Sequence, residues 1–192
     1  MPGFVLLDRD GVINQRIVGG YVTSWEKFAF LPGALEGLRL LAEKNYQLIV
    51  VSNQAGVGKG LMTAADLHDI TRKFLEEVEA HGGRIRSVFY CTHRAEDGCP
   101  CRKPKPGLLL NAQAEHQFNF EDTFLIGDSE SDLRAAQAVG CPAIMVSNAP
   151  SAGLEKLLYA PRVTVPSLLA AATFLASLKG CYNSSKRGGS VA

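Results

Sequence analysis

Short apolar runs that stop abruptly in polar clusters alternate with amphipathic segments along the chain, and this alternation constrains the fold more than any other feature. Residues 3–7 (Gly-Phe-Val-Leu-Leu) stop at Asp8-Arg9-Asp10-Gly11, residues 47–51 at Ser52-Asn53-Gln54, and residues 123–126 at Gly127-Asp128-Ser129. Further short runs cover residues 87–91, 143–146 and 162–165. Runs of this length bounded by turn residues read as buried strands. Between them, Leu35, Leu38, Leu41 and Ala42 recur at helical spacing after Pro32, and Leu67, Ile70, Phe74, Leu75 and Val78 do so after a Thr63/Asp66 capping box. Helices are also predicted over residues 107–116, 129–139 (with Ser129 as cap) and 166–179. Strands alternating with helices predict an α/β chain of the Rossmann-like, three-layer kind, because right-handed crossovers place helices on both faces of a mainly parallel sheet. In such sheets ligands bind at the carboxyl ends of the strands, where these polar clusters lie.

Size and charge narrow what that fold can do. With 192 residues the chain has room for one full domain and is short for two, so residues 1–180 are expected to form a single domain and 181–192 a flexible tail. No insertion is long enough to fold as a large cap. A net charge of +1 offers no basic surface for nucleic acid or an anionic membrane, so any anion must be held by a few placed groups. No apolar run approaches the roughly 18 residues of a membrane span, and the N-terminus shows no leader pattern; a cytoplasmic monomer is expected. Of the five cysteines, Cys91, Cys99 and Cys101 crowd into one loop, which in a reducing compartment favours a metal over disulfides.

Asp8 and Asp10 lie two apart as the chain leaves a strand, so in extended backbone both carboxylates project to one side. One can attack while the other handles a proton. Taken alone, Asp10-Gly11 also reads as a tight turn. Asp128, at the end of another apolar run, would add a further carboxylate, and such a cluster suits a hard cation such as Mg²⁺. Asp132 reads equally as a helix cap or as support for that metal. Ser52 and Lys103 supply a hydroxyl and a point charge of the kind phosphoryl transfer needs, where catalysis is mostly positioning and charge stabilisation. Cys91-Thr-His93 and Cys99-Pro-Cys101 form a C-x-H…C-x-C set whose three thiolates and one imidazole complete a tetrahedral, structural zinc shell. Clamping Cys101 would hold the adjacent Arg102 and Lys103 against a phosphate.

Through Asp8-Arg-Asp-Gly-Val12, Ser52-Asn-Gln54, Arg102-Lys-Pro-Lys-Pro106 and Gly127-Asp-Ser-Glu-Ser-Asp132, the sequence resembles the haloacid dehalogenase superfamily of phosphatases. The resemblance implies that Asp8 is the nucleophile, Asp10 the general acid and base, and Ser52 and Lys103 the phosphoryl stabilisers. It also implies that Asp8, Asp128 and the Asp10 main-chain carbonyl hold Mg²⁺. The zinc loop is similar to that of two branches, the heptose-1,7-bisphosphate 7-phosphatases of bacterial surface-glycan (lipopolysaccharide) biosynthesis and the histidinol-phosphate phosphatases. Gly20-Tyr21-Val22 and Cys101-Arg-Lys-Pro-Lys-Pro-Gly107 favour the first, whose substrate is a small sugar phosphate. The likeness implies substrate contacts by Gly20, Tyr21, Asn53, Gln54 and Arg102, the guanidinium suiting a second phosphate. A zinc-stabilised binding module without turnover stands as the alternative of another class.

Gly56-Val-Gly-Lys-Gly60 imitates a phosphate loop, but a Walker A motif needs Ser or Thr after Gly-Lys, and Leu61 stands where the last glycine of a dinucleotide fingerprint belongs. The stretch reads as a turn near the site. Cys141 and Cys181 read as a small buried residue and a tail residue.

Overall fold

The computed structural model describes residues 3–147 and 161–187. Six strands, β1 (Gly3–Leu7), β2 (Tyr46–Asn53), β3 (Ile85–Cys91), β4 (Phe124–Gly127), β5 (Ala143–Val146) and β6 (Val163–Val165), form one sheet in the order β3-β2-β1-β4-β5-β6. Every pairing is parallel. Among the described residues five α-helices accompany them: α1 (Ala34–Glu43), α2 (Ala64–Ala80), α3 (Gly107–His116), α4 (Glu130–Gln137) and α5 (Leu168–Arg187). No helix is long and apolar enough to cross a membrane among the described residues.

The period of two along each strand separates two cores. Val5, Leu7, Leu48, Val50, Ile126 and Ile144 face one way, packing with α1, α2 and α5 through Leu38, Phe74 and Leu175. Leu6, Ile49, Val51, Leu125 and Met145 face the other, covered by α3 and α4 through Leu108, Leu109 and Leu133. This is the three-layer arrangement expected from the alternation of elements. The Thr63/Asp66 capping box starts α2 as read from the sequence, and a second box, Ser129 with Asp132, starts α4. α5 runs past Lys179, so residues 181–187 of the expected tail continue the helix, and residues 188–192 lie outside the described residues.

The topology fixes where a site can form. From the central β1 the chain winds outward to β2 and β3, then crosses to β4 and winds the other way. Between β1 and β4 the strand order switches direction, which opens a crevice at their carboxyl ends. Asp8 extends that seam, its amide donating to the Ile126 carbonyl at 2.9 Å. Between β1 and α1 the chain makes a rim loop rather than a cap. The base of this loop is tied down by bonds from Gln15 N to Ala29 O and from Leu31 N to Ile13 O, and by stacking of Trp25 on Phe28 and of Phe28 on Phe74.

Candidate active site

After β1 the backbone does not stay extended. The Arg9 carbonyl accepts from the amides of Val12, Ile13 and Asn14, so the chain coils into a single turn directly beyond Asp8. Gly11 makes that turn possible: its φ is +94°, and a Cβ there would lie 1.8 Å from an Asp128 carboxylate oxygen. The Asp10-Gly11 dipeptide thus makes the tight turn read for it, and the turn leaves both carboxylates on the same cavity. The turn presses the first carboxylate cluster against the second.

Lys103 is the hub of that cluster. Only 3% exposed, its ammonium lies 3.1 Å from Asp8 Oδ1, donates to Asp132 Oδ1 at 2.5 Å and to the Val51 carbonyl at 2.8 Å. Burial works against its charge, but Asp132 and Asp8 outweigh it and hold the amine well above the usual lysine range. Asn53 fixes the same residue from its backbone, donating to the Lys103 carbonyl and accepting from its amide at 3.0 and 3.1 Å. Of the two roles read for Asp132, the cap is the one observed: one oxygen accepts from the Ser129 amide and hydroxyl at the start of α4, while the other takes Lys103 rather than standing free for a metal.

Asp10 is gripped by three side chains. Asn14 donates to its Oδ1 at 2.7 Å, Gln54 to its Oδ2 at 2.6 Å, and Arg9 reaches both oxygens at 3.1 and 3.2 Å. Gln54 also donates to the Ser52 hydroxyl and accepts from Arg9. Its amide is thus engaged inside the protein, and its side chain, 1% exposed, orients Asp10 rather than forming the cavity wall. Sequence reasoning missed Arg9 and Asn14 altogether. Arg9 is fully buried, its guanidinium 5.9 and 5.7 Å from the ring centroids of Phe28 and Tyr90. A charged residue between two motif aspartates was the available signal.

Asp8, Asp128 and Asp132 each bring a carboxylate oxygen within 4.8 Å of the others. With both Asp132 oxygens committed inside the fold, the donors left facing the cluster are Asp8 and Asp128, together with the Asp10 carbonyl. Burial and the nearby Asp8 push the Asp128 carboxyl up to about 7, with Arg16 pulling the other way. Asp8 Oδ1 accepts no hydrogen bond despite its burial and its ion pair. Crowded, under-satisfied carboxylate oxygens of this kind fit a hard divalent cation. Arg16, also missed from sequence, approaches the same atoms, donating to Asp128 Oδ1 at 2.5 Å and to the Asp10 carbonyl at 3.3 Å.

The cysteine loop closes on itself. Cys91, His93, Cys99 and Cys101 gather their ligand atoms, with neighbouring donors 3.3–3.7 Å apart. A tetrahedron with ordinary zinc bond lengths requires about 3.5–3.8 Å between donors, so the set fits zinc once Cys101 moves outward by a few tenths of an ångström. Burial and contact with Cys101 push the Cys91 thiol up to about 12, reflecting a crowd of sulfurs that a divalent cation would relieve.

A cavity of about 480 Å³ opens over these groups, lined by Asp8, Asp10, Gly20, Tyr21, Ser52, Asn53, Arg102 and Lys103 among others. All the residues read as catalytic thus meet on one surface, and of those read as substrate contacts all but Gln54 line it. A cleft of about 520 Å³ beside Cys141 and Arg162 has no carboxylate cluster among the described residues, and one of about 600 Å³ meets the active-site cluster from its other side through Gly11 and Asp128.

Comparison with known proteins agrees with this geometry. An HAD-hydrolase-like family model matches residues 100–171. The D-glycero-alpha-D-manno-heptose-1,7-bisphosphate 7-phosphatase of Mycobacterium tuberculosis is 39% identical over 156 residues, covering 78% of this chain and 82% of its own. The corresponding beta-named enzyme of Helicobacter pylori is 40% identical over 132 residues, covering 68% and 75%. The crystal structure of D,D-heptose 1,7-bisphosphate phosphatase from B. bronchiseptica, complexed with magnesium and phosphate, superposes with a TM-score of 0.85 at 31% identity, covering 92% of this chain and 99% of that one. Likeness of this extent, joined to motifs that converge at one sheet edge, makes the chain a member of the heptose-1,7-bisphosphate 7-phosphatase family of HAD-like hydrolases.

Proposed function

We propose that the chain hydrolyses the 7-phosphate of D-glycero-D-manno-heptose 1,7-bisphosphate through an aspartyl-phosphate intermediate. The observation that carries this reading is the Lys103 ammonium held between Asp8 and Asp132 beneath an open cavity, in a relative of named heptose bisphosphate phosphatases. Asp8 attacks phosphorus while the Asp10 carboxyl gives its proton to the departing sugar oxygen. Asp10 then takes a proton from the water that attacks the acyl phosphate, returning Asp8 as a carboxylate and releasing inorganic phosphate. Lys103 and the Ser52 hydroxyl stabilise the equatorial oxygens in both steps. Arg9, Asn14 and Gln54 are positioning residues that aim the Asp10 carboxyl.

Asp8, Asp128 and the Asp10 carbonyl would hold Mg²⁺, which when bound supplies charge neutralisation between carboxylate and phosphate. Cys91, His93, Cys99 and Cys101 would hold Zn²⁺ in a closed shell with a structural role.

Turnover on both anomers of the heptose bisphosphate, set against histidinol phosphate, tests the substrate. A higher kcat/KM for a heptose bisphosphate is the expected result, and the reverse preference overturns it. Asp8→Asn keeps the shape but removes the nucleophile, so kcat should fall at least about a thousandfold. A variant as active as the parent would rule out the nucleophile assignment.

A further inference from the structure

The Gly56–Gly60 turn resembles a phosphate loop without being one, yet the fold carries it to the wall of the active cavity. Its lysine, Lys59, lines the same cavity as Asp8, Ser52, Arg102 and Lys103. The turn is locked in place by backbone. Lys59 N donates to the Ala55 carbonyl at 3.0 Å and Gly60, at φ +69°, closes on the Val57 carbonyl at 2.9 Å. Gly58 N donates to the Thr92 carbonyl at 3.0 Å, and a Cβ on Gly58 would fall 2.4 Å from that oxygen. Thr92 lies between Cys91 and His93, and Arg102 follows Cys101. The same cysteine cluster therefore anchors the segment under Lys59 and the segment bearing Arg102.

The charges on this wall are unevenly matched. Lys103 is neutralised by Asp8 and Asp132, and Arg16 by Asp128. No carboxylate pairs with Lys59 or Arg102 among the described residues. Lys59 is exposed, its ammonium 5.5 Å from the Tyr21 ring centroid, a cation–π approach that limits its wandering. Arg102 buries its Nη1 without a hydrogen-bond partner. Two cations without acidic partners, on a wall already furnished with a separate ammonium for the transferred phosphoryl group, match a ligand with a second dianionic group.

We propose that Lys59 is a specificity-determining residue that, together with Arg102, clamps the phosphate of the substrate that is not transferred, with Tyr21 holding the ammonium in place. The proposal rests on the bisphosphate reading above and adds to it a residue assigned no role by the motifs. It also explains why a turn with no nucleotide function should be cationic and tied so closely to the cysteine loop.

Steady-state kinetics of the Mg²⁺- and Zn²⁺-loaded parent, Lys59→Gln and Lys59→Arg on heptose 1,7-bisphosphate and on p-nitrophenyl phosphate test it. In Lys59→Gln the ratio of kcat/KM for the bisphosphate to that for the monoester should fall about tenfold, as expected for one lost charge-assisted contact, with the loss in KM. Lys59→Arg should restore the ratio to within about threefold of the parent, since either cation can take a phosphate oxygen. The KM gap between parent and Lys59→Gln should narrow from low to high salt, because an exposed contact is screened. An unchanged bisphosphate KM in Lys59→Gln, or an equal loss on both substrates, overturns the clamp while leaving the phosphatase reading intact. A parent enzyme that shows no preference for the bisphosphate overturns that reading and the clamp with it.

Discussion

Arg16 lies with its guanidinium against Asp128 and the Asp10 carbonyl, the atoms that would otherwise face a cation. A metal ion held by those atoms must displace it, so part of the binding free energy goes into breaking that pair. The Arg16 side chain is 49% exposed, and ion pairs of that exposure are worth about 1 kcal/mol or less. Arg16→Gln should therefore tighten Mg²⁺ binding to the substrate-free enzyme about two- to fivefold, read by titration calorimetry. Weaker binding would show that Arg16 supports the metal site instead of competing with it. This contact joins residues 112 apart in sequence, which explains its absence from a sequence reading. Asp8 and Asp128 were legible because each directly follows an apolar strand, and Asp10 because it stands two residues after Asp8, all local patterns. Arg9 was not, since full burial of a guanidinium between Phe28 and Tyr90 depends on loop packing that no short motif encodes.

Among the elements, the cysteine loop is the one whose mechanical role can be divided between the two basic residues that follow it. The sequence places Arg102 and Lys103 directly after Cys101 and so suggests that zinc holds both. In the fold, however, Lys103 has its own anchors on β2 and α4, through Val51, Asn53 and Asp132. Among the described residues no hydrogen bond ties Arg102 to β2 or α4, and the Gly58–Thr92 contact ties the Lys59 turn to the loop. Stripping zinc with a chelator and then resupplying Mg²⁺ alone should raise KM for the bisphosphate more than it lowers kcat, with a fall in kcat/KM on the order of 10–100-fold. Readdition of Zn²⁺ should restore both constants. A loss confined to kcat would mean that the loop governs Lys103 after all. Strands and helices themselves were largely legible, because periodicity and the capping boxes at Thr63 and Ser129 are local signals. The order of strands was not, since it is decided by which apolar faces meet across the sheet.

On the scale of the whole molecule, the sheet's change of winding between β1 and β4 gathers negative charge at one point of a chain whose net charge is only +1. Function demands that concentration, and folding opposes it. Asp128 records the conflict: burial and Asp8 hold its carboxyl at about 7, against roughly 3.9 for an unfolded aspartate. Between those values the native state binds more protons than the unfolded state, so this group lowers stability as pH rises from about 4 to 7. Above about 7 the full penalty applies, and below about 4 it is absent. Asp128→Asn should thus stabilise the Mg²⁺-free protein at pH 8 by on the order of 1–3 kcal/mol, and by little near pH 4. Urea unfolding of parent and variant at several pH values measures the difference, in buffer free of chelator and with the same Zn²⁺ supplied to both. Equal stability at pH 8 would contradict a penalised Asp128. Added Mg²⁺ should reverse the ranking, because it stabilises by mass action only the chain that can bind it. The same substitution would then separate the two demands on the site, giving a sturdier protein without magnesium and a hydrolase that cannot use it.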